Sequence, residues 1–308
     1  MIQAPMDILQ QHPIRKSKKQ KSGFLSAVSR YAESQGYVVK IEMGSFGCRN
    51  LVIGNTETAD YLVTAHYDTP ASIGLPNFIT PCNLVTFILF QLLILVPFFT
   101  AAFVAGFLTS LVTENEMLWF YAAYAAYFGM LFLMMFGPAN RHNANDNTSG
   151  VITVLEILTA LPEKLRSKVC FVLFDLEEAG LRGSSSYRKA HKQATDRQMV
   201  LNLDCVGDGN HILLFPNTRL KKHGDKMNRL SALETNGAEK HISVRRKGFA
   251  YCPSDHRHFP FGVGIMAFHR TKIIGFYCDR IHTWRDTVLD YVNVRLLRDR
   301  LIAFLSES

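Results

Sequence analysis

Residues 171–180 read FVLFDLEEAG, an apolar run that stops at three acids within four positions. The run lacks the alternation of a half-buried strand, so it predicts a strand buried on both faces. In open α/β sheets ligands bind outside the carboxyl ends of the strands, which is where these acids stand. The adjacent carboxylates of Glu177 and Glu178 repel each other unless a cation lies between them, which indicates a metal site with one glutamate as ligand and the other as base. Taken alone, the stretch also fits a solvated loop with ordinary surface acids.

Length and composition narrow the class of protein. The chain has 308 residues, enough for one large domain or two small ones, and a net charge of +8. No nucleic-acid motif and no basic run interleaved with aromatics accompanies this charge, so nucleic acid is not expected as a partner. The six cysteines are scattered without a CxxC pair, which argues against a zinc ribbon and fits a reducing compartment. No apolar core follows the N-terminal charges, so no signal peptide is predicted.

Two long apolar runs lie between positions 68 and 141, where the only charged residues are Glu114 and Glu116. The runs, residues 84–113 and 117–136, are long enough to cross a bilayer. Runs of this length without charge are hard to bury in a domain of this size. A transmembrane hairpin is therefore favoured over a buried core hairpin or an apolar oligomer interface, although an oligomer formed through the hairpin stays open.

The charges around this hairpin predict its orientation. The turn between the runs carries only acids, whereas the flanking protein is basic. The positive-inside rule then places both flanks in the cytoplasm, which predicts a cell-membrane protein with two spanning helices and the lipid bilayer as a partner. One basic cluster near the N-terminus either forms a solvated arm or contacts anionic headgroups, and it comprises Arg15, Lys16, Lys18, Lys19 and Lys21.

The rest of the chain alternates predicted strands with predicted helices, which indicates an α/β fold with a mixed, mostly parallel sheet. Helices are expected at residues 22–36, 151–161, 185–192 and 222–236 and from residue 290 or 293 onward. Strands are expected at residues 37–43, 50–54, 61–65, 171–174, 199–203, 211–215, 264–268 and 273–277. The α/β domain then comprises residues 1–82, with 1–21 as a basic arm, and residues 138–308, with the hairpin at 83–137 between the two parts.

Side chains that can bind metal stand at the ends of four strand-like runs and at the start of one helix. They are His66 with Asp68, Glu177 with Glu178, Asp204, His282 and Asp146. Imidazole nitrogen and carboxylate oxygen suit zinc, and one bridging carboxylate with two ligands on each side makes a two-metal site with ions ~3.5–4 Å apart. Each residue alone is as well explained by a surface acid or an ordinary histidine, but together they indicate a metal centre at one edge of the sheet.

Six motifs, in order along the chain, resemble the zinc-dependent co-catalytic aminopeptidases, whose clan also holds carboxypeptidases and glutaminyl cyclases. The motifs are HYD at 66–68, NDNTSG at 145–150, FDLEEAGLRGS at 174–184, NLD at 202–204, SDH at 254–256 and HTWRDT at 282–287. The resemblance covers the chain from about residue 22 to the end, outside the hairpin. It implies a three-layer α/β/α sandwich like that of zinc exopeptidases.

The resemblance also implies the metal ligands. Asp146 would bridge two zinc ions, with His66 and Asp204 completing one site and Glu178 and His282 completing the other. Cobalt or manganese would suit the same ligands. A further motif residue, His256, is expected to hold a loop, and His142 is expected to be incidental.

Three other residues acquire roles from the same resemblance. Glu177 would be the general base, taking a proton from the metal-bound water and returning it to the leaving amine. Asp68 would orient His66 and raise its basicity. Tyr251 would donate a hydrogen bond to the oxyanion. Asp175 and Asp286 are interpreted as structural.

The resulting hypothesis is a membrane-anchored aminopeptidase that removes N-terminal residues from peptides. Its closest alternative is a glutaminyl-cyclase-like acyltransferase, which typically works with one zinc, and a third is a catalytically inactive membrane scaffold of the same fold. The family usually reaches its bridging aspartate soon after the first motif, whereas here positions 66 and 146 lie 80 residues apart. Because the inserted hairpin separates two site elements, the substrate is expected to be a peptide that arrives at, or is released from, the membrane.

Overall fold

The computed structural model describes residues 4–72 and 74–307, and its framework is a ten-stranded mixed sheet. The strands are β1 (Val39–Met43), β2 (Arg49–Ile53), β3 (Tyr61–His66), β4 (Val169–Phe174), β5 (Met199–Leu203), β6 (His211–Pro216), β7 (Thr235–Asn236), β8 (His241–Val244), β9 (Phe261–Thr271) and β10 (Gly275–Tyr277). Their spatial order is β1-β2-β4-β3-β5-β9-β6-β8-β7, and β10 pairs with β9. The predicted mixed sheet is confirmed.

Parallel pairing is confined mainly to the centre of the sheet. Strands β4, β3, β5 and β9 run parallel, and every residue of β3, β4 and β5 is buried, as expected for strands covered on both faces. Four of the nine pairings among the described strands are parallel, so parallel pairs are not the majority that was predicted. The difference arises at the flanks, where tight connections such as that between β1 and β2 join antiparallel strands.

Helices cover both faces of the sheet, which confirms the three layers. They are α1 (Pro5–Gln11), α2 (Lys18–Ser34), α3 (Leu84–Ser110), α4 (Glu116–Phe136), α5 (Gly150–Ala160), α6 (Arg182–Ala190), α7 (Lys192–Thr195), α8 (Thr218–Lys221), α9 (Gly224–Ser231) and α10 (Tyr291–Ser306). The main apolar core joins one face of the sheet to α1, α2, α5, α9 and α10. A smaller core on the opposite face includes Tyr187 of α6 and Phe259.

The N-terminal segment is part of the folded domain, so the solvated basic arm is wrong at two positions. Arg15 is fully buried, and Lys21 is buried against the carboxylate of Asp175. Lys18 and Lys19 do remain exposed. Helix α2 begins four residues before the predicted start, because the side chain of Ser17 caps it.

The predicted helix over residues 222–236 is also partly wrong. It stops at Ser231, and β7 and β8 follow as a short antiparallel pair. The loop between them, residues 237–240, is closed by the backbone N–H of Gly237, which donates to the carbonyl of Lys240 (3.1 Å). Thr235, Asn236 and Gly237 all have low helix propensity, which does not favour a helix through this segment.

The hairpin consists of α3, with 27 residues, and α4, with 21 residues. Both helices are long and apolar enough to cross a membrane, and only 6% of the most apolar stretch of each is buried. They pack on each other where Gly106 of α3 lies under the indole of Trp119 of α4, since a Cβ at Gly106 would come 2.5 Å from that ring. The two helices therefore belong to neither apolar core of the α/β domain.

Candidate metal centre

The order of the central strands creates a crevice at the end of β3. The chain leaves β3 to form β4 on one side of it and later β5 on the other. The carboxyl end of β3 is thus a topological switch point, where ligands bind in open α/β sheets. His66 is the last residue of β3, Glu177 and Glu178 come shortly after β4, and Asp204 directly follows β5.

The five predicted ligands meet around the two carboxylate oxygens of Asp146. Its Oδ1 lies 3.2 Å from His66 Nε2, which lies 3.5 Å from Asp204 Oδ1. Its Oδ2 lies 2.8 Å from His282 Nε2, which lies 3.5 Å from Glu178 Oε2. Within each of the two trios, the candidate ligand atoms lie within 4.8 Å of one another. One carboxylate therefore faces two ligand sets, each with one histidine and one further acid.

Backbone and amide contacts hold Asp146 in this position. The carboxylate of Asp286 accepts hydrogen bonds from two successive backbone N–H groups, at 2.7 and 3.0 Å, the second being that of Asp146 itself. Asn147, whose peptide bond to Asp146 is cis, donates from Nδ2 to the carbonyl oxygens of His66 (3.3 Å) and Leu203 (3.0 Å). These contacts tie the turn before α5 to the ends of β3 and β5.

Asp68 connects the first histidine with the pair of glutamates. Its carboxylate accepts hydrogen bonds from the backbone N–H of Glu177 (3.1 Å) and of Glu178 (3.3 Å). Its Oδ1 also lies 3.6 Å from Nδ1 of His66, the ring nitrogen that does not face Asp146. A buried carboxylate in this place is the usual partner of a metal-binding imidazole.

Two residues near the centre had no role predicted from the sequence. Ser254 donates its hydroxyl to Asp204 Oδ2 (2.5 Å), and the SDH motif that contains it was the available signal. Arg15 donates from Nε to the carbonyl of Tyr67 (2.6 Å) and from Nη2 to Thr148 Oγ1 (3.1 Å). A single arginine within a basic run carries no signal for such burial, because its partners come from distant parts of the chain.

The charges at the centre indicate which kind of ligand it fits. Burial, together with Glu178 and Asp204 and against the effect of His66, raises the pKa of Glu177 well above its usual value. Burial and Asp146, against the effect of His282, raise the pKa of Glu178 to about 8. Buried carboxylates of this kind favour a cation among them.

The pKa of His282 is also raised, but the cause is the neighbouring carboxylates and not burial. Burial alone lowers the pKa of His282, but Glu178 and Asp146 outweigh it and raise that pKa to about 10. Glu178 Oε1 is buried without a hydrogen-bond partner among the described residues. The free carboxylate oxygen and the mixed nitrogen and oxygen donors fit divalent transition-metal ions on the two sides of Asp146.

Tyr251 lies at the foot of α3, where its ring centroid is 5.2 Å from that of Phe87. Its side chain is 41% exposed, and no hydrogen bond to any of the five candidate ligands is described. His256 is buried and its backbone carbonyl accepts from Asn217 Nδ2 (2.9 Å), whereas His142 is exposed. The described contacts thus bring the five predicted ligands together with Asp68 and Glu177, but not with Tyr251.

Comparison with known proteins identifies the family to which this fold and its candidate metal centre belong. The model of Peptidase family M28 matches residues 131–301, more than half of the chain. The chain therefore belongs to Peptidase family M28 and is a hydrolase, which confirms the resemblance carried by the sequence motifs. The match includes Asp146, Glu177 and His282 but begins after the HYD motif at residues 66–68. No curated protein matches the chain.

Solved structures share the fold at low sequence identity. A glutaminyl cyclase from Tannerella forsythia aligns with a TM-score of 0.61 and 14% identity, covering 99% of this chain and 98% of its own. A Zn-dependent exopeptidase from Parabacteroides distasonis aligns with a TM-score of 0.58 and 12% identity, covering 100% of both chains. The LapA aminopeptidase of Legionella pneumophila aligns with a TM-score of 0.57 and 14% identity, covering 98% of this chain and 68% of its own. At this identity the likeness establishes the fold.

Proposed function

We propose that this protein is a membrane-anchored zinc aminopeptidase that holds two ions and hydrolyses N-terminal residues of peptides. The observation that carries the proposal is the division of Asp146 between two ligand sets, with Oδ1 towards His66 and Oδ2 towards His282. A carboxylate that faces one histidine from each oxygen is suited to bridge two ions. The zinc-dependent exopeptidase among the structural neighbours supports zinc as the metal.

The five proposed ligands form two sets that share Asp146. His66, Asp146 and Asp204 would hold one ion, and Asp146, Glu178 and His282 the other. When bound, zinc supplies Lewis acidity that lowers the pKa of water and polarises a carbonyl. Asp68 would hold the imidazole of His66 through Nδ1 and so keep Nε2 directed at the ion.

Glu177 is the proposed general base. Its neighbour Glu178 lies 3.5 Å from His282 Nε2 within the second ligand set, whereas Glu177 groups with His66 and Glu178 and belongs to neither set around Asp146. Both backbone N–H groups donate to the carboxylate of Asp68, which fixes the backbone that carries the two side chains. In hydrolysis Glu177 would take a proton from the attacking water and pass it to the amine that leaves.

The hairpin would anchor the domain beside the mouth of this site. The amide of Asn140, four residues after the end of α4, donates to the carbonyl of Thr283 (3.0 Å), the residue after His282. If α3 and α4 cross the bilayer, with both flanks in the cytoplasm, peptides at the membrane surface reach the site directly. Peptides that arrive at, or leave, the membrane are therefore the proposed substrates.

A glutaminyl-cyclase-like activity is the second candidate, because a glutaminyl cyclase is among the structural neighbours. A peptide that begins with glutamine separates the two reactions. An aminopeptidase releases free glutamine and a shortened peptide, whereas a cyclase releases ammonia and leaves a peptide of the same length with a pyroglutamyl end.

The proposal is tested with the full chain, purified in detergent and loaded with zinc. Metal analysis is expected to find two zinc ions per chain, and aminoacyl reporter amides are expected to be hydrolysed. One zinc per chain together with ammonia release from the glutaminyl peptide would contradict the peptidase and support the cyclase. Two bound ions without any release of amino acids or ammonia would contradict both enzymes and support the inactive scaffold.

A further inference from the structure

Two loops of the α/β domain contact the start of α3 and form a surface that we call the collar: residues 245–251, and residues 270–276, which are the β9–β10 turn with the strand ends beside it. Phe87, in the first turn of α3, packs against Phe249 with ring centroids 5.8 Å apart and against Tyr251 at 5.2 Å. Asn83, the N-cap of α3, donates from Nδ2 to the carbonyl of Ile274 (3.1 Å). Both loops are therefore fixed to the point where the apolar helix begins.

The two loops are also neighbours of each other. The guanidinium groups of Arg245 and Arg270 lie 5.8 and 5.3 Å from the ring centroid of Phe276. The collar is thus one continuous surface, not two separate loops.

The collar is strongly basic. Residues 245–251 read RRKGFAY and residues 270–276 read RTKIIGF, so the collar holds five basic residues and no acid. Three of these, Lys247, Arg270 and Lys272, are exposed and form no ion pair among the described residues. Charges left unpaired beside the base of an apolar helix are complementary to an anionic surface.

An exposed apolar side chain accompanies these charges. Ile273, at the tip of the β9–β10 turn, is 93% exposed, and Lys272 stands beside it. Phe87 is three residues into α3, about 5 Å along the helix axis, so its partners Phe249 and Tyr251 lie at the level where α3 would enter the bilayer. Aromatic and apolar side chains flanked by lysine and arginine are typical of the membrane–water interface.

We propose that the collar binds the anionic phospholipid headgroups of the leaflet into which α3 enters. This inference rests on the proposed membrane hairpin and adds to it a lipid preference that the two apolar helices do not supply. The basic cluster predicted from the sequence to contact headgroups, around Arg15 and Lys21, is unsuited to this task at those two buried residues. The collar would hold the domain down on the leaflet at the foot of α3.

Quenching of single tryptophans by lipids with brominated acyl chains tests the hairpin and the collar separately. The full chain is reconstituted in bilayers of phosphatidylcholine and phosphatidylglycerol at a fixed ratio, with one or the other lipid brominated. In one protein Trp284→Phe leaves Trp119 of the hairpin as the reporter. In a second, Trp119→Phe and Trp284→Phe are combined with Ile273→Trp in the collar.

The expected result is quenching of both reporters, with stronger quenching of the tryptophan at position 273 by brominated phosphatidylglycerol than by brominated phosphatidylcholine. We call the difference between these two quenching values at position 273 the excess. Replacing Lys247, Arg270 and Lys272 by glutamine should abolish this excess. Each basic residue near an anionic surface contributes about fivefold to binding, so the three together give on the order of a hundredfold.

A matched control removes three charges from the opposite face of the sheet. Lys164, Arg295 and Arg300 are exposed, and each stands next to a residue of the main core, away from the collar. Their replacement by glutamine should leave the excess unchanged. Quenching of Trp119 without quenching at position 273, or equal quenching there by the two lipids, would overturn the collar alone. Absence of quenching at Trp119 would overturn the hairpin and the collar with it.

Discussion

At the scale of single residues, one buried carboxylate fixes the backbone of the two adjacent glutamates. Asp68 accepts both of their backbone N–H groups and also faces His66. Glu178 belongs to the ligand set of Asp146 and His282, whereas Glu177 groups with His66 and Glu178 and belongs to neither set around Asp146. This difference supports the proposal that Glu178 holds a metal ion and Glu177 acts as the base.

We expect Glu177→Gln to retain the metal and to lower kcat by ~10²-fold or more, the usual range for loss of a general base. Glutamine preserves the shape of the side chain but cannot accept the proton. Metal analysis and steady-state rates on the same preparation measure the two effects. Glu178→Gln is the matched comparison and should lose metal; an unchanged rate in Glu177→Gln would remove the proposed base.

Asp286→Asn should weaken zinc binding by about 10–100-fold, the usual effect of a residue that holds a ligand in place. The carboxylate of Asp286 accepts the two backbone N–H groups that orient Asp146, and an asparagine amide keeps only one acceptor oxygen. Competition with a chromogenic chelator measures the affinity. Asp279→Asn, which removes only the partner of Arg285, is the control and should bind zinc normally.

Zinc binding should release protons at pH 7 and strengthen as the pH rises. Burial lowers the pKa of His282, but Glu178 and Asp146 outweigh this effect and raise that pKa to about 10 in the metal-free protein. This imidazole is therefore protonated at neutral pH. Because zinc binds only the neutral ring, affinity should increase up to about tenfold per pH unit for each proton displaced. Titration calorimetry in buffers of different ionisation enthalpy measures the number of protons released. If the observed binding enthalpy does not change with the ionisation enthalpy of the buffer, no proton is released and the prediction is wrong.

At the scale of elements, the hairpin packs through a small residue against a large one. Gly106 lies under Trp119, whereas Gly129, also in the hairpin, has open space where its Cβ would be. Helix association within a membrane depends on such close approach at small residues, because apolar burial alone does not favour it there.

Gly106→Leu should therefore destabilise the hairpin by about 1–3 kcal/mol, the usual penalty of overpacking. Gly129→Leu is the matched control, since it adds the same side chain without a clash. Thermal unfolding of both variants in the same bilayer composition measures the difference. Equal stability of the two would show that α3 and α4 do not pack at Gly106 in the membrane.

At the scale of the whole molecule, the hairpin leaves and re-enters the domain through segments that are fixed. Ala71 pairs with Ala139 and Ile79 pairs with Cys278, so both ends of the insertion are bound to the domain before the apolar helices begin. The candidate metal centre makes no described contact with α3 or α4.

Excision of residues 84–136 with a short linker should yield a folded protein that retains zinc and hydrolyses small reporter amides at an unchanged rate. Association with membranes should be lost. Cleavage of a substrate peptide that is bound at the membrane surface should fall, because the excised protein no longer holds its site there. Flotation with vesicles and rates on both substrates measure these effects. Undiminished cleavage of the membrane-bound peptide by the excised protein would contradict the proposal that the substrates are peptides at the membrane.

The sequence by itself was sufficient for the ligand candidates, the central strands and the two apolar runs. His66, Glu177 and Asp204 could be predicted because the apolar run of a buried strand ends visibly in the sequence where polar residues begin. The two apolar helices could be predicted from the length of their uncharged runs. The family followed from the order of the motifs. These are local signals, readable within a few residues of each position.

Only the tertiary structure decided which groups meet. Arg15 looked like one charge of a basic arm but is buried against Tyr67 and Thr148, which come from other segments. The two oxygens of Asp146 face different histidines, and Asp286, 140 residues away, holds the backbone that aims them. Strand register and loop packing set these contacts, and neither leaves a local pattern in the chain. The Glu-Glu pair after β4 could be found from sequence, but only the fold shows that Asp68 accepts both of its backbone N–H groups and that Glu178, not Glu177, joins the ligand set of Asp146 and His282.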